Sequence, residues 1–338
     1  MKAFAIEGQF GLENLKLVER PDPSPGPGQV LVKMRAASLN FRDLLTVRGH
    51  YNPRQPLPLI PCSDGVGEVV EVGAGVESLS AGDTVATVFA QGWLEGAPDR
   101  QKMKTTLGGP LDGTLCGLMC LDARGVVPVP AHLSDEEGAT LTCAGVTAWS
   151  ATVEHGGLRP GQTVLIQGTG GVSIFALQFA KLLGARAIVT SSSDAKLERA
   201  RALGADVCIN YVENPQWGRA AAKAAGGDGV DLVVEVGGAG TMGQSLKAVK
   251  PGGRISLIGV LAGGVTKLNV IPILMQAIRV QGILVGSRQT FLEMNSAISD
   301  HKLKPVVDRV FSFEEAPEAL AWMAEGRHFG KISLRFDT

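Results

Sequence analysis

Between residues 163 and 286 the chain alternates short apolar, β-branched runs with longer stretches of helical period. The apolar runs fall at 163–168, 186–191, 207–210, 230–236, 254–259 and 280–286, and the helical patterns at 171–183, 194–203, 215–225, 240–248 and 270–278. Six strands joined by helical crossovers predict a doubly wound parallel sheet. The flanks have a different texture. "QVLVKMRAAS" alternates as a strand does, and "GVGEVVEVGAGVESLSAGDTVATVF" sets β-branched runs between glycine turns. Proline-dense stretches at 21–27 and 53–61 read as surface loops, and 91–114 as a polar loop without period. Ser134 and Glu137 form a capping box that opens a helix running to the Gly156-Gly157 stop. The tail after Phe291 reads as a strand, a capped helix and a last strand, "GKISLRF", folding back onto the first domain.

The first apolar run leads into "QGTGGVSIF", close to the dinucleotide fingerprint G-x-G-x-x-G. Gly168 suits the tight turn and Gly170 a close approach of phosphate to backbone, while Ser173 replaces the third glycine. A helix N-terminus carries unpaired N–H groups and partial positive charge, which suits a pyrophosphate. Gly168, Thr169, Gly170, Gly171 and Val172 are therefore the expected cradle.

The end of the second strand bears on cofactor choice. An acidic residue there would grip a ribose 2′-hydroxyl, but "TSSSDAK" (190–196) offers hydroxyls, including Ser191 and Ser192. Asp194 reads as an N-terminal helix residue. Lys196 is placed to reach a 2′-phosphate, and Tyr211 to flank the adenine. The expectation is NADPH, with NADH the less favoured cofactor.

Composition changes the picture mainly by exclusion. The 338 residues suit two domains, and 45% hydrophobic against 19% charged residues suits a globule. Basic and acidic side chains number 32 and 33 without a basic block, which argues against nucleic-acid or membrane partners. Glu7 interrupts the N-terminus before a signal-peptide core forms, and the five cysteines have irregular spacing. A reducing, cytoplasmic setting is expected.

The motifs "NFRDLLTVRGHY", "GVGEVVEVGAGV", "AGDTV", "TAWSATVEHGGLRPGQTVLIQGTGGVSIFALQFAK", "LGADVCINY" and "GKISL" resemble the medium-chain dehydrogenase/reductase superfamily along the whole chain. Within it, the chain is most similar to the zinc-free quinone oxidoreductase branch. The resemblance implies an α/β fold: a Rossmann domain (131–298) inserted in a β-rich, GroES-like twisted-barrel catalytic domain (1–130 plus 299–338), with the cofactor in the cleft. It also implies a homodimer formed through the last Rossmann strands. Gly237, Gly259, Val260, Val285 and Lys331 complete the expected cofactor-binding set.

Where the superfamily's zinc alcohol dehydrogenases have Cys-His and Gly-His-Glu, this chain has Asn40-Phe41 and Cys62-Ser63-Asp64; only Cys143 matches a ligand. Cys116 and Cys120 lack the spacing of a four-cysteine structural site. No metal is expected. Without a Lewis acid, quinones and α,β-unsaturated carbonyls are the easier hydride acceptors. By resemblance Asn40, Tyr51 and Thr147 are the catalytic candidates acting on a small-molecule substrate. His50 is read as a surface residue and Asp43 as a loop stabiliser. A metal-free alcohol or carbonyl oxidoreductase and a non-catalytic NADPH-binding protein remain as alternatives.

Overall fold

The computed structural model describes residues 1–337 and divides into two compact units, Thr147–Val285 and the remainder, Met1–Val146 with Gly286–Thr338. In the first of these, six strands form one parallel sheet: β1 (Thr163–Gln167), β2 (Arg186–Ser191), β3 (Val207–Asn210), β4 (Val230–Glu235), β5 (Val249–Leu257) and β6 (Arg279–Gly282). Their spatial order is 3-2-1-4-5-6, so the chain reverses direction of growth between β1 and β4, the place where such sheets form a ligand crevice. The register sets Gln167 beside Thr190 and Ile166 beside Val234. The carboxyl ends of β1, β2 and β4 are therefore level, and the loops beginning at Gly168, Ser192 and Val236 leave from one edge.

Helices Gly171–Leu182, Asp194–Ala202, Trp217–Ala224, Met242–Ala248 and Ile271–Met275 alternate with the strands. Strand β1 is buried along its whole length, as a central parallel strand must be. One hydrophobic cluster joins Leu165, Ile188, Val233 and Ile255 from the sheet to Trp217, Ala221 and Leu246 from helices. On the helix that follows the cradle, Phe175 and Phe179 stack at 5.8 Å, and Trp149 meets Phe179 edge-on at 5.2 Å.

The other unit is built on a seven-stranded sheet. In order, Val307–Ser312, Lys331–Arg335, Gln29–Leu39, Asp64–Val72, Thr84–Thr87 and Val126–Pro128 pair side by side, and Leu118–Asp122 also pairs with Gln29–Leu39. Register decides what meets at its end: Leu39 lies opposite Ile332, and Ser38 opposite Asp64. Three segments distant in sequence thus bring Asn40, Asp64 and Lys331 together.

The unit limits differ from the expected boundaries at 131 and 298. Segments 131–146 and 286–298 pack with the seven-stranded sheet. Thr142 Oγ1 donates to the Thr87 carbonyl at 2.9 Å, Ser333 Oγ to the Glu136 carbonyl at 3.0 Å, and Asn295 Nδ2 to the Pro128 carbonyl at 3.0 Å. The capping box of Ser134 and Glu137 forms. The helix it opens is not uniform: after Asp135–Ala139 come two wide π-type turns, Leu141–Gly145 and Ser150–Glu154, around Val146–Trp149. The stretch read as a polar loop contains a short helix, Arg100–Met103, because Asp99 caps it by accepting from the Gln101 and Lys102 amides at 2.8 Å each. No described helix is long and apolar enough to cross a membrane.

Candidate active site

The expected dinucleotide cradle follows directly from β1. Gly168 has φ 73°, a left-handed conformation that suits glycine, and its amide donates to the Thr190 carbonyl at 2.8 Å. Gly170 is the N-cap of the twelve-residue helix Gly171–Leu182, and no side chain caps that end. A Cβ built on Gly170 would meet no protein atom within 4 Å. The front of the helix N-terminus is open, so the amides there can face a pyrophosphate. Ser173 is buried and its hydroxyl donates to the Gln167 carbonyl at 2.6 Å. The residues present fit a dinucleotide. Thr169 is buried and Val172 half-buried at the same turn.

At the end of β2, Ser191 is buried and Ser192 exposed. Ser193 caps the next helix by accepting from the Lys196 amide. Asp194 accepts from Asn210 Nδ2 at 2.9 Å. Its carboxylate thus links the helix terminus to the neighbouring strand end. Lys196 is half-buried, and Tyr211 is 41% exposed beside this segment, its amide bonded to the Ser191 carbonyl at 3.1 Å.

A buried carboxylate, unforeseen in the sequence, orders the loop after β4. Glu235 Oε1 accepts from the amides of Gly237 and Gly238, each at 2.9 Å, and from Thr241 Oγ1 at 2.6 Å. Its Oε2 accepts from Gln167 Nε2 at 2.7 Å and from Ser245 Oγ. Gln167 Oε1 in turn accepts from the Gly237 amide at 3.3 Å. The network ties the cradle strand to the segment carrying Gly237. Gly259 packs against the Val236 carbonyl so closely that a Cβ would lie 2.4 Å from its oxygen. Val260 is 56% exposed, and Val285 is buried with φ 50°, an unusual conformation for a β-branched residue.

In the other unit, the cluster around Asn40 is dense in charge. Lys331 Nζ donates to the Leu39 carbonyl at 2.6 Å and to Asn40 Oδ1 at 2.7 Å, and pairs with Asp64 Oδ2 at 3.6 Å. Lys331, expected among the cofactor-binding residues, is thus turned inward with a buried ammonium. Asn40 opens helix Phe41–Val47, and its own amide donates to Asp43 Oδ2 at 2.8 Å. Its side-chain Nδ2 is buried beside the Asp64 carboxylate and makes no full hydrogen bond to a described protein atom. Ser63 Oγ donates to Asp64 Oδ1 at 2.8 Å. Arg42 lies over the rings of Tyr51 and Phe89, 5.0 and 4.8 Å from their centroids, and donates to the Leu107 and Gly109 carbonyls at 3.0 and 3.3 Å. Tyr51 itself is 48% exposed, and His50 beside it is exposed. Thr147 lies in the other unit, buried in the Val146–Trp149 segment.

Burial dominates the ionisation of this cluster. Asp43 is pushed up to about 6 by desolvation, against the pull of Arg42. Asp64 is raised for the same reason despite Lys331. Desolvation, with the Asp64 charge second, pushes the Cys143 thiol up to about 12, and burial raises Cys62 well above its ordinary value. The donor set does not fit a catalytic zinc ion. Such a site needs three suitable protein ligands, with any cysteine as thiolate. Here one position is an amide whose oxygen faces an ammonium and another is a serine hydroxyl committed to Asp64, and no group of three His, Cys, Asp or Glu among the described residues could hold a metal ion.

A family model described as zinc-binding dehydrogenase matches residues 171–300, and one described as alcohol dehydrogenase GroES-like domain matches residues 26–131. A zinc-type alcohol dehydrogenase-like protein of Schizosaccharomyces pombe is 43% identical, covering 97% of this chain and 96% of the relative. The chain belongs to the medium-chain dehydrogenase/reductase superfamily. It is thereby an oxidoreductase of a superfamily that uses nicotinamide cofactors. The crystal structure of a putative alcohol dehydrogenase from Sinorhizobium meliloti 1021 superposes with a TM-score of 0.92 at 42% identity, covering 99% of this chain and 98% of that one. An acryloyl-coenzyme A reductase of Metallosphaera sedula is 29% identical over 99% of both chains.

Proposed function

We propose that the protein is a zinc-independent reductase that transfers hydride from NADPH to a quinone or an α,β-unsaturated carbonyl. The observation that carries this reading is the pairing of Asn40 Oδ1 with the Lys331 ammonium. It puts a fixed positive charge and neutral donors where the superfamily's zinc enzymes need ligands for a Lewis acid. Saturated alcohols need such an acid to lose hydride. Conjugated carbonyls spread the developing charge onto an oxygen that hydrogen bonds can stabilise. The relative named acryloyl-coenzyme A reductase carries a conjugated acyl group in its name, which supports the same electronic class.

The bound nicotinamide supplies the hydride. The chain's own residues bind and orient. The open N-terminus at Gly170 and Gly171 receives the pyrophosphate, and the uncharged Ser191–Ser192 end of β2 with Lys196 receives a 2′-phosphate. Gly237, Gly259 and Val260 form the ordered rim of that unit. Asn40 Nδ2 donates to the substrate oxygen, and the Tyr51 ring, stacked on Arg42, offers a face for a flat acceptor. The last proton comes from water, since no titrating acid is needed on an enolate or hydroquinone product.

The test is NADPH oxidation across quinones, 2-alkenals and cyclic enones, with saturated ketones as controls, before and after exhaustive chelation. Turnover of the conjugated acceptors alone, unchanged by chelation, is expected. Zinc-dependent turnover of saturated substrates would overturn the reading.

A further inference from the structure

We propose that Lys331 is a positioning residue: it fixes the Asn40 amide so that its N–H end, and not its carbonyl end, is presented to the oxygen of the substrate. The inference rests on the reading that this site binds a carbonyl-type oxygen.

An asparagine amide can present either end, and the two ends demand opposite partners. An ammonium only donates. With Nζ at 2.7 Å, Asn40 must turn its oxygen to Lys331, because the reverse rotamer would set donor against donor. Lys331 cannot swing away to relieve such a clash. It is 3% exposed, a second N–H is taken by the Leu39 carbonyl at 2.6 Å, and Asp64 holds the ammonium at 3.6 Å. That carbonyl lies in the strand paired with the strand of Lys331 itself, Leu39 opposite Ile332. The geometry of the lysine is therefore set by the sheet.

The consequence falls on the other end of the amide. Asn40 Nδ2 is buried and makes no full hydrogen bond to a described protein atom; the Asp64 carboxylate is its neighbour, and the N–H left over is available to a ligand. A charge on the carbonyl end also draws electron density through the amide and strengthens the N–H as a donor. The benefit is largest toward an oxygen that gains negative charge as hydride arrives. Asp64, Lys331 and Asn40 form a line in which only the last touches substrate.

The experiment uses the 2-hydroxy-1,4-naphthoquinone anion, a stable enolate, bound to the protein loaded with NADP⁺ and followed by its visible absorption. Asn40→Ala and Lys331→Gln should each weaken binding about tenfold, and the double variant should be no weaker than Asn40→Ala. Lys331→Arg, which also only donates, should recover most of the loss. Thermal unfolding and NADP⁺ affinity are measured on every variant, so a merely destabilised protein is recognised; if Lys331→Gln does not fold, Lys331→Met in the same cycle and Lys331→Arg replace it. Independent, multiplying effects of the two positions would overturn the proposal, as would a wild type that binds the anion no better than Asn40→Ala. Turnover is scored separately. A coupled cycle without turnover of conjugated carbonyls refutes the proposed function and leaves the amide orientation standing, whereas turnover with an uncoupled cycle does the reverse.

Discussion

The hydroxyl of Ser173 donates to the main-chain carbonyl of Gln167 at 2.6 Å, across the turn that the fingerprint glycines make. A serine at this position thus replaces the close packing of a third glycine with a bond between helix and strand. Ser173→Gly should leave dinucleotide affinity nearly unchanged. It should cost about 1–2 kcal/mol of stability, from the lost bond and the glycine inside a helix. Urea unfolding alongside cofactor titration checks both halves; a large fall in affinity with stability intact would show that Ser173 contacts the cofactor.

Cofactor preference is expected to follow the second strand. Asp194 accepts from Asn210, and the strand end itself carries the hydroxyls of Ser191 and Ser192. Lys196→Ala should weaken NADPH by about 1–3 kcal/mol and leave NADH almost unaffected, as for a lost charge-assisted contact. Equal dissociation constants for the two cofactors in the wild type would refute the preference.

Self-association is expected through β6. This edge strand is exposed along its length and pairs only with β5 among the described strands. The preceding helix leaves Leu274 78% and Met275 74% exposed. An open edge beside an apolar surface invites pairing with a second copy. Sedimentation equilibrium should give a dimer at micromolar concentration, and Leu274→Glu should shift it toward monomer. A monomeric wild type would count against it.

Stability should carry the mark of Asp43. Its folded value, about 6, lies above the ordinary 3.8, so between those limits the folded state binds more protons than the unfolded one. Stability from this group is therefore highest at the acid end of the window and falls as pH rises toward 6. Asp43→Asn should flatten that decline in denaturant midpoints measured from pH 4 to 7. A steeper decline in the variant would reverse the assignment.

Much of this was legible in the residues. Strand and helix periods between 163 and 286 located the parallel sheet to within a few residues, and Gly168 and Gly170 marked the turn into an open helix N-terminus, because both signals are local. Asn40 could be singled out by its motif. What Lys331 does could not, since "GKISL" shows a lysine at the start of a strand but not that Ile332 pairs with Leu39. The unit limits were hidden for a similar reason: the helical pattern after Ser134 continues past Val146, while its packing partners change. Glu235 and Gln167 left a fainter trace. Each is a polar residue ending an otherwise apolar strand, a position that calls for a buried partner.

The Glu235 carboxylate also bears on how the segment Gly237-Gly238-Ala239-Gly240 behaves in time. Such a run reads as a slack tether, yet two of its amides donate to one buried carboxylate. Hydrogen exchange at Gly237 and Gly238 should then be as slow as in the adjoining strand, opening only when the unit opens. A glycine-rich rim that is already still loses little chain entropy when a ligand arrives, so its contribution to affinity is settled at folding rather than at binding.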